Sequence, residues 1–250
     1  MKYKSMLPCF AAAVAAATST QPAIAQAPAD DPTAWKSSAA FGLTMTRGNS
    51  ETVMGTLNLS TGKKWDQHEI SLGADAAYGT TEIDGEEETT ASSARAFGQY
   101  NHLFNERLYG YGRLEALHDD VANVDYRITL SPGAGYYLIK EDRMDLSVEA
   151  GPSYVLERLD GEEDNYLALR LAEKFNFKIN DRARIWQSVE FLPQVDDFDN
   201  FLLNAEIGIE ADLTESFSLR SFIQDTYDNE PAPGRDENDL KWVTAIAYKF

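Results

Sequence analysis

The chain has 250 residues, of which 41 are Asp or Glu and 22 are Lys or Arg, giving a formal net charge of −19. So acidic a chain repels the phosphate backbone, which argues against nucleic-acid binding. Its one cysteine, Cys9, leaves no intramolecular disulfide to consider, and no run of about 18 apolar residues offers a membrane helix.

In chain order, the first element is an export signal. Lys2 and Lys4 precede a short apolar run over 6–17, and "AIA" at 23–25 fits a small-x-small cleavage site. The pattern predicts a secretory signal peptide over 1–25, cut between Ala25 and Gln26. Cys9 lies inside that segment, too early to be a lipidation site. Residues 26–35 read as a flexible lead-in.

From residue 36 onward the dominant signal is period-2 alternation, the mark of strands. In "FLLNAEIGIEADL" (201–213), Phe201, Leu203, Ala205, Ile207 and Ile209 share one face, and Asn204, Glu206, Gly208 and Glu210 the other. The stretches 126–138 and 144–157 alternate in the same way. Twelve strands are predicted: 36–46, 51–62, 67–79, 91–103, 107–119, 124–139, 143–157, 165–179, 183–195, 200–213, 217–227 and 239–250. Many are long for a globular domain, where about 5 to 6 residues is usual, and suit a tilted membrane-crossing strand of about 9 to 11.

The connections alternate in character. "KWDQ", "FNER", "KEDR", "INDR" and "TES" are tight. "GTTEIDGEEETT", "HDDVAN", "ERLDGEEDN", "VDDFDN" and "DNEPAPGRDEN" are acidic and mostly longer, although "TRGNSE" is short. Short turns at one end and longer loops at the other are the habit of an even-stranded outer-membrane barrel. The expected fold is therefore all-β: a transmembrane, antiparallel, up-and-down β-barrel of about twelve strands over 36–250. A soluble periplasmic β-sandwich binding protein is the alternative, with each apolar face turned to a partner sheet.

The last strand, "DLKWVTAIAYKF", sets Trp242, Ile246, Tyr248 and Phe250 on one face. A strand ending in an aromatic residue with outward apolar residues at every second place fits the signal by which barrel-assembly machinery recognises its clients. Aromatic residues near strand ends, among them Trp65, Tyr78, Tyr100, Tyr126, Tyr136, Tyr154, Phe217, Tyr227 and Trp242, suit interfacial girdles.

Several stretches together, "GLTMTRGNSET", "YGRLEALHDD", "LSPGAGYYLIK", "LSVEAGPSYVLE", "DDFDNFLLNAEIGIE" and "YDNEPAPGRDENDL", resemble the salt-induced outer-membrane protein family, classed as a domain of unknown function. The resemblance spans about 36–250. It implies a Gram-negative outer-membrane barrel with no enzyme activity, no cofactor and no assigned ligand.

The opposite strand faces mix charges of both signs: Arg113, Glu115, Arg127, Glu149, Arg170, Arg184, Glu190, Glu206, Glu210 and Arg220 are candidates for the lumen. They could line a narrow channel for small polar solutes or cations, or pair and close it, leaving a structural envelope protein. The link to salt or osmotic response rests on the family resemblance alone. The enzyme alternative is an outer-membrane lipase or protease centred on His118, whose neighbours are Asp119 and Asp120. No Gly-x-Ser-x-Gly accompanies it. The acidic stretches nominate Asp84, Glu86, Glu87, Glu88, Glu162 and Glu163 as weak divalent-cation ligands, since carboxylates suit calcium and magnesium. Bridging by such cations would tie the loops to lipopolysaccharide, a partner expected along with the lipids of the outer membrane.

Overall fold

The computed structural model describes residues 33–46, 51–83 and 86–250. The proposed signal peptide, its Ala25/Gln26 junction, most of the lead-in, and Asp84 lie outside the described residues. Twelve strands follow in order: β1 (Lys36–Thr46), β2 (Glu51–Trp65), β3 (His68–Ile83), β4 (Glu86–Leu103), β5 (Leu108–Asp119), β6 (Val124–Lys140), β7 (Met144–Leu159), β8 (Glu162–Asn180), β9 (Ala183–Pro193), β10 (Phe201–Asp212), β11 (Phe217–Asp228) and β12 (Asn238–Lys249). Each pairs antiparallel with its sequence neighbour, and β12 pairs with β1, so one sheet closes on itself. Closure removes the edges that an open sheet would expose. A single closed sheet also overturns the sandwich alternative, which needs two sheets facing each other.

Alternation explains the wall. Along β8, Tyr166, Ala168 and Arg170 are buried, while Leu167, Leu169 and Leu171 between them are exposed. The same parity holds round the ring and leaves Phe41, Leu57, Leu72, Leu114, Leu130, Ile207, Ile223 and Ile246 on the outside. An apolar surface that encircles the molecule far exceeds the few hundred Å² an ordinary soluble monomer shows. It is a lipid-facing surface.

Both ends of this band carry aromatic residues. At the end where β1 begins and β12 finishes, Trp65, His68 and Tyr100 form a stacked row, with centroids 5.4 and 5.9 Å apart. Phe217, Tyr248 and Phe250 continue it, at 5.2 and 5.7 Å. At the far end stand Tyr78, Tyr154 and Trp242, the last 73% exposed, and Phe201 stacks on Tyr227 at 5.5 Å.

Two of the acidic stretches expected as loops are paired strand instead. β3 and β4 run to Ile83 and from Glu86, so Glu82 faces Glu87 and Thr81 faces Glu88 in the ladder. β7 and β8 likewise continue to Leu159 and from Glu162, with Glu163 opposite Arg158 and Asp164 opposite Glu157. The tip of the second hairpin is Asp160-Gly161, with φ of 49° and 84°. Two consecutive positive φ values make the tight turn whose twist matches paired strands, and Asp-Gly is a preferred sequence for it. A charged run thus remains strand where the turn is two residues long. The connections at 194–200 and 229–237 are the longest at this end.

Inside, four bulky aromatic residues lie over glycines on the neighbouring strand: Phe97 over Gly73, Tyr109 over Gly135, Tyr111 over Gly133 and Trp186 over Gly208, each a direct cross-strand pair. A Cβ at those glycines would collide with the ring. The missing side chain lets each ring lie along the wall, a known device for placing large rings in curved sheets.

Candidate functional site

The lumen is built from those rings upward. Three of them also carry a guanidinium: Arg113 over Phe97 at 4.3 Å, Arg170 over Tyr111 at 5.2 Å and Arg184 over Trp186 at 5.7 Å. The ring's electron-rich face holds the charge in place.

Carboxylates complete a central belt. Arg170, 1% exposed, donates from Nη1 to Glu149 at 2.8 Å and from Nε to Glu190 at 2.6 Å. Arg113 donates to Glu115 at 2.5 Å, as does Arg95 at 3.0 Å, and Arg113 lies 3.9 Å from Glu190. Glu149 also accepts from Gln99 at 2.7 Å and from the Tyr109 hydroxyl at 3.0 Å. Lys174 on β8 donates to Gln99 on β4 at 3.0 Å. Buried charges of this kind are tolerable only when every one is paired.

A second cluster sits toward the end that holds the termini. Glu210 accepts from Arg184 and Arg220, both at 2.8 Å, and Lys249 lies 2.8 Å away. Arg220 also reaches Ser38 on β1 at 3.0 Å. Toward the far end Arg127 pairs with Glu157 on the next strand and donates to Asp228 on β11 at 2.7 Å. β6 and β11 stand five strands apart in the ring, so this bond crosses the lumen. Lys241 and Asp119, also on opposite walls, are 3.8 Å apart. Beside them lies a small apolar cluster of Val155, Tyr166, Ala168, Leu192 and Leu202. At the far mouth Arg235 donates to Asn123 at 2.7 Å.

The structure thus places Arg113, Glu115, Glu149, Arg170 and Glu190 in one web, and Arg184, Glu210 and Arg220 in another. Arg127 stands in a third, and Glu206 apart, accepting from Trp186 Nε1 at 2.5 Å. Sequence reasoning missed Gln99, Tyr109, Lys174 and the ring-over-glycine pairs. Their signal was present as inward parity, but which ring meets which glycine depends on the register between strands.

The remaining candidates sit elsewhere. His118 is exposed on the outer rim; its Nε2 is 3.1 Å from Asp120 and its Nδ1 2.9 Å from the Asp125 carbonyl oxygen. Ser92 Oγ donates to Asp120 at 2.5 Å, not to the imidazole. A nucleophile must face its base, and here both ring nitrogens are occupied by other groups. The hydrolase alternative is not supported. Glu87, Glu88, Glu162 and Glu163 are exposed on strand extensions, while Asp84 and the Glu86 side chain lie outside what is described. Among the described residues no three His, Cys, Asp or Glu come together to hold a metal ion. Trp242, Ile246, Tyr248 and Phe250 all point outward on the β12 side of the seam, and Phe250 exchanges backbone bonds with Ser37 at 3.0 and 3.1 Å.

A family model described as a protein of unknown function, DUF481, matches residues 39–250. Among solved structures, an outer-membrane channel from Pseudomonas putida F1 is similar at 9% identity, with a TM-score of 0.51, over 90% of this chain and 100% of the other. The NanC porin is similar at 8% identity, with a TM-score of 0.50, over 86% of this chain and 98% of the other. At such identities the likeness is one of fold. A search of curated protein sequences finds no match.

Proposed function

This chain belongs to the DUF481 family of proteins of unknown function, and from that premise we propose that it is a narrow outer-membrane channel for small polar or charged solutes. The observation that carries the reading is the belt around Arg170, where guanidinium and carboxylate groups face one another inside a closed wall. A lumen meant only to be filled would be cheaper to fill with apolar side chains, since burying charge is costly even when paired. Lys174 and Arg184 keep about a third or more of their side chains exposed (37% and 47%), as groups beside water do. In this reading the end holding β1's start faces the periplasm and the longer connections face outward, in contact with lipopolysaccharide. The outward residues of β12 present the barrel-assembly signal. The link to salt is part of the same proposal and predicts expression that rises with osmolarity.

The test is single-channel recording of the refolded protein in a planar bilayer. Small, discrete, ohmic steps are expected, and Glu149→Gln should shift ion preference toward anions. A second reading, a closed structural barrel, draws on the cross-lumen Arg127–Asp228 and Lys241–Asp119 pairs. A silent bilayer with properly folded protein would favour it over the channel.

A further inference from the structure

Between the two aromatic belts, a carboxylate near the middle of β8 interrupts the outward apolar face. Glu173 stands opposite Val148 on β7 and Val189 on β9, so it shares their outward face. Gln187 Nε2 donates to its Oε2 at 3.2 Å. Glu173 borders a groove of about 500 Å³ in the outer wall. Leu171, Val148, Phe191 and Tyr136 form its banks, and its floor is low where the outward residues are Ala134 and Ala150.

Hydrocarbon does not solvate a carboxylate, and one amide donor does not cancel its charge. An ionisable group at such a position marks a functional site by default. The carboxylates of the central belt pair with guanidinium groups, whereas Glu173 has the neutral amide of Gln187 as its hydrogen-bonding side chain. The groove has the size and lining of a small-molecule site: mostly apolar, with one or two polar groups that fix orientation.

We propose that this groove is a membrane-facing binding site for an amphiphilic cation. The ammonium of the ligand donates to Glu173, whose carboxylate the Gln187 amide holds in place; its apolar body lies along the groove. A second copy of the chain is a poorer occupant, because a two-fold axis would set concave patch against concave patch and enclose a void. The proposal rests on the reading that the outward face meets lipid. It is independent of conduction, because the groove lies outside the lumen.

The experiment uses refolded protein in a non-ionic maltoside detergent, with dodecylamine as the probe and dodecanol and dodecanoate as controls. The readout is the temperature at which the folded form is lost on electrophoresis. Dodecylamine should raise it saturably, the controls should not, and Glu173→Gln should weaken the apparent affinity at least tenfold. Ala150→Phe, which fills the groove and keeps the carboxylate, should abolish the effect and serves if Glu173→Gln does not fold. Equal stabilisation by dodecanol, or an unchanged response in both variants, overturns the proposal. So does a change in particle size on Glu173→Gln with no amine response, which would assign the groove to a second copy. Failure of the barrel to fold in detergent would instead strike at the membrane reading itself.

Discussion

Between β7 and β8 the ladder runs unbroken from Met144 opposite Phe177 to Leu159 opposite Glu162. Between β12 and β1 it holds four pairs, from Ser38 opposite Lys249 to Phe41 opposite Ile246, with the Ser37–Phe250 backbone bonds beyond them. Behind the first lies the buried web of Glu149 and Arg170. Behind the second lie small side chains, Ala40, Ala245 and Ala247, the reach of Arg220 to Ser38, and Lys249, which pairs back to Glu210 and Asp212 on β10 and not across to β1. The same wall is thus tied by charge on one side and closed by little more than backbone on the other. Stability within one fold is uneven, and the region with fewest supporting interactions opens first. The seam is that region here.

The comparison breaks most sharply at Glu149. Glu149→Ala leaves Arg170 with Glu190 alone and Lys174 with the neutral Gln99, and should cost about 3 kcal/mol, the lower end of what removing one partner from a buried pair costs. The folded form should be lost on electrophoresis at a clearly lower temperature. A small effect would mean that water replaces the carboxylate and that the web adds little strength.

Gly42→Val sharpens the other side. A Cβ at Gly42 would lie 2.6 Å from Thr56 Oγ1 and 2.9 Å from the Thr244 carbonyl oxygen, so the seam must yield. Overpacking of this kind costs about 1–3 kcal/mol. Amide hydrogen exchange should quicken at Ala40 and Ala247 and stay unchanged along β7 and β8. Uniform quickening would show that the seam and the opposite wall open together.

The smallest effect belongs to the rim. Arg158 is 3.3 Å from Asp125 and largely in solvent. Arg158→Ala should change stability by less than about 0.5 kcal/mol, as exposed pairs do. A larger loss would show that the β7–β8 hairpin tip supports the wall below it.

Much of this wall was legible in the chain. Period-2 alternation located all twelve strands because one face meets lipid and tolerates few exceptions. Boundaries failed at 79–90 and 157–165 because charge was read as loop, while a paired strand above the membrane is free to be charged. Strand β9 is where parity misleads: Trp186 faces inward and Gln187 outward, against the usual sorting. The indole is explained by Gly208 beneath it and Glu206 beside it, both on the next strand and far away in sequence. Glu173 went unseen for a similar reason, since one polar residue in "LALRLAEKFNFKIN" does not disturb the period. The lumen partners were named one by one, but which carboxylate meets which cation depends on register and on walls that face each other only after closure.

The rings laid over glycines bear on how such a wall assembles. Each hairpin must zip in one alignment among several that satisfy the same alternation. Sliding β5 against β6 by two residues would keep every side chain on its proper face, yet carry Tyr109 onto Tyr137 in one direction or Tyr111 onto Ser131 in the other. Each ring and its glycine therefore act as a key that turns in one notch. Errors that the lipid cannot detect are penalised inside the barrel, strand by strand, before the last strand meets the first.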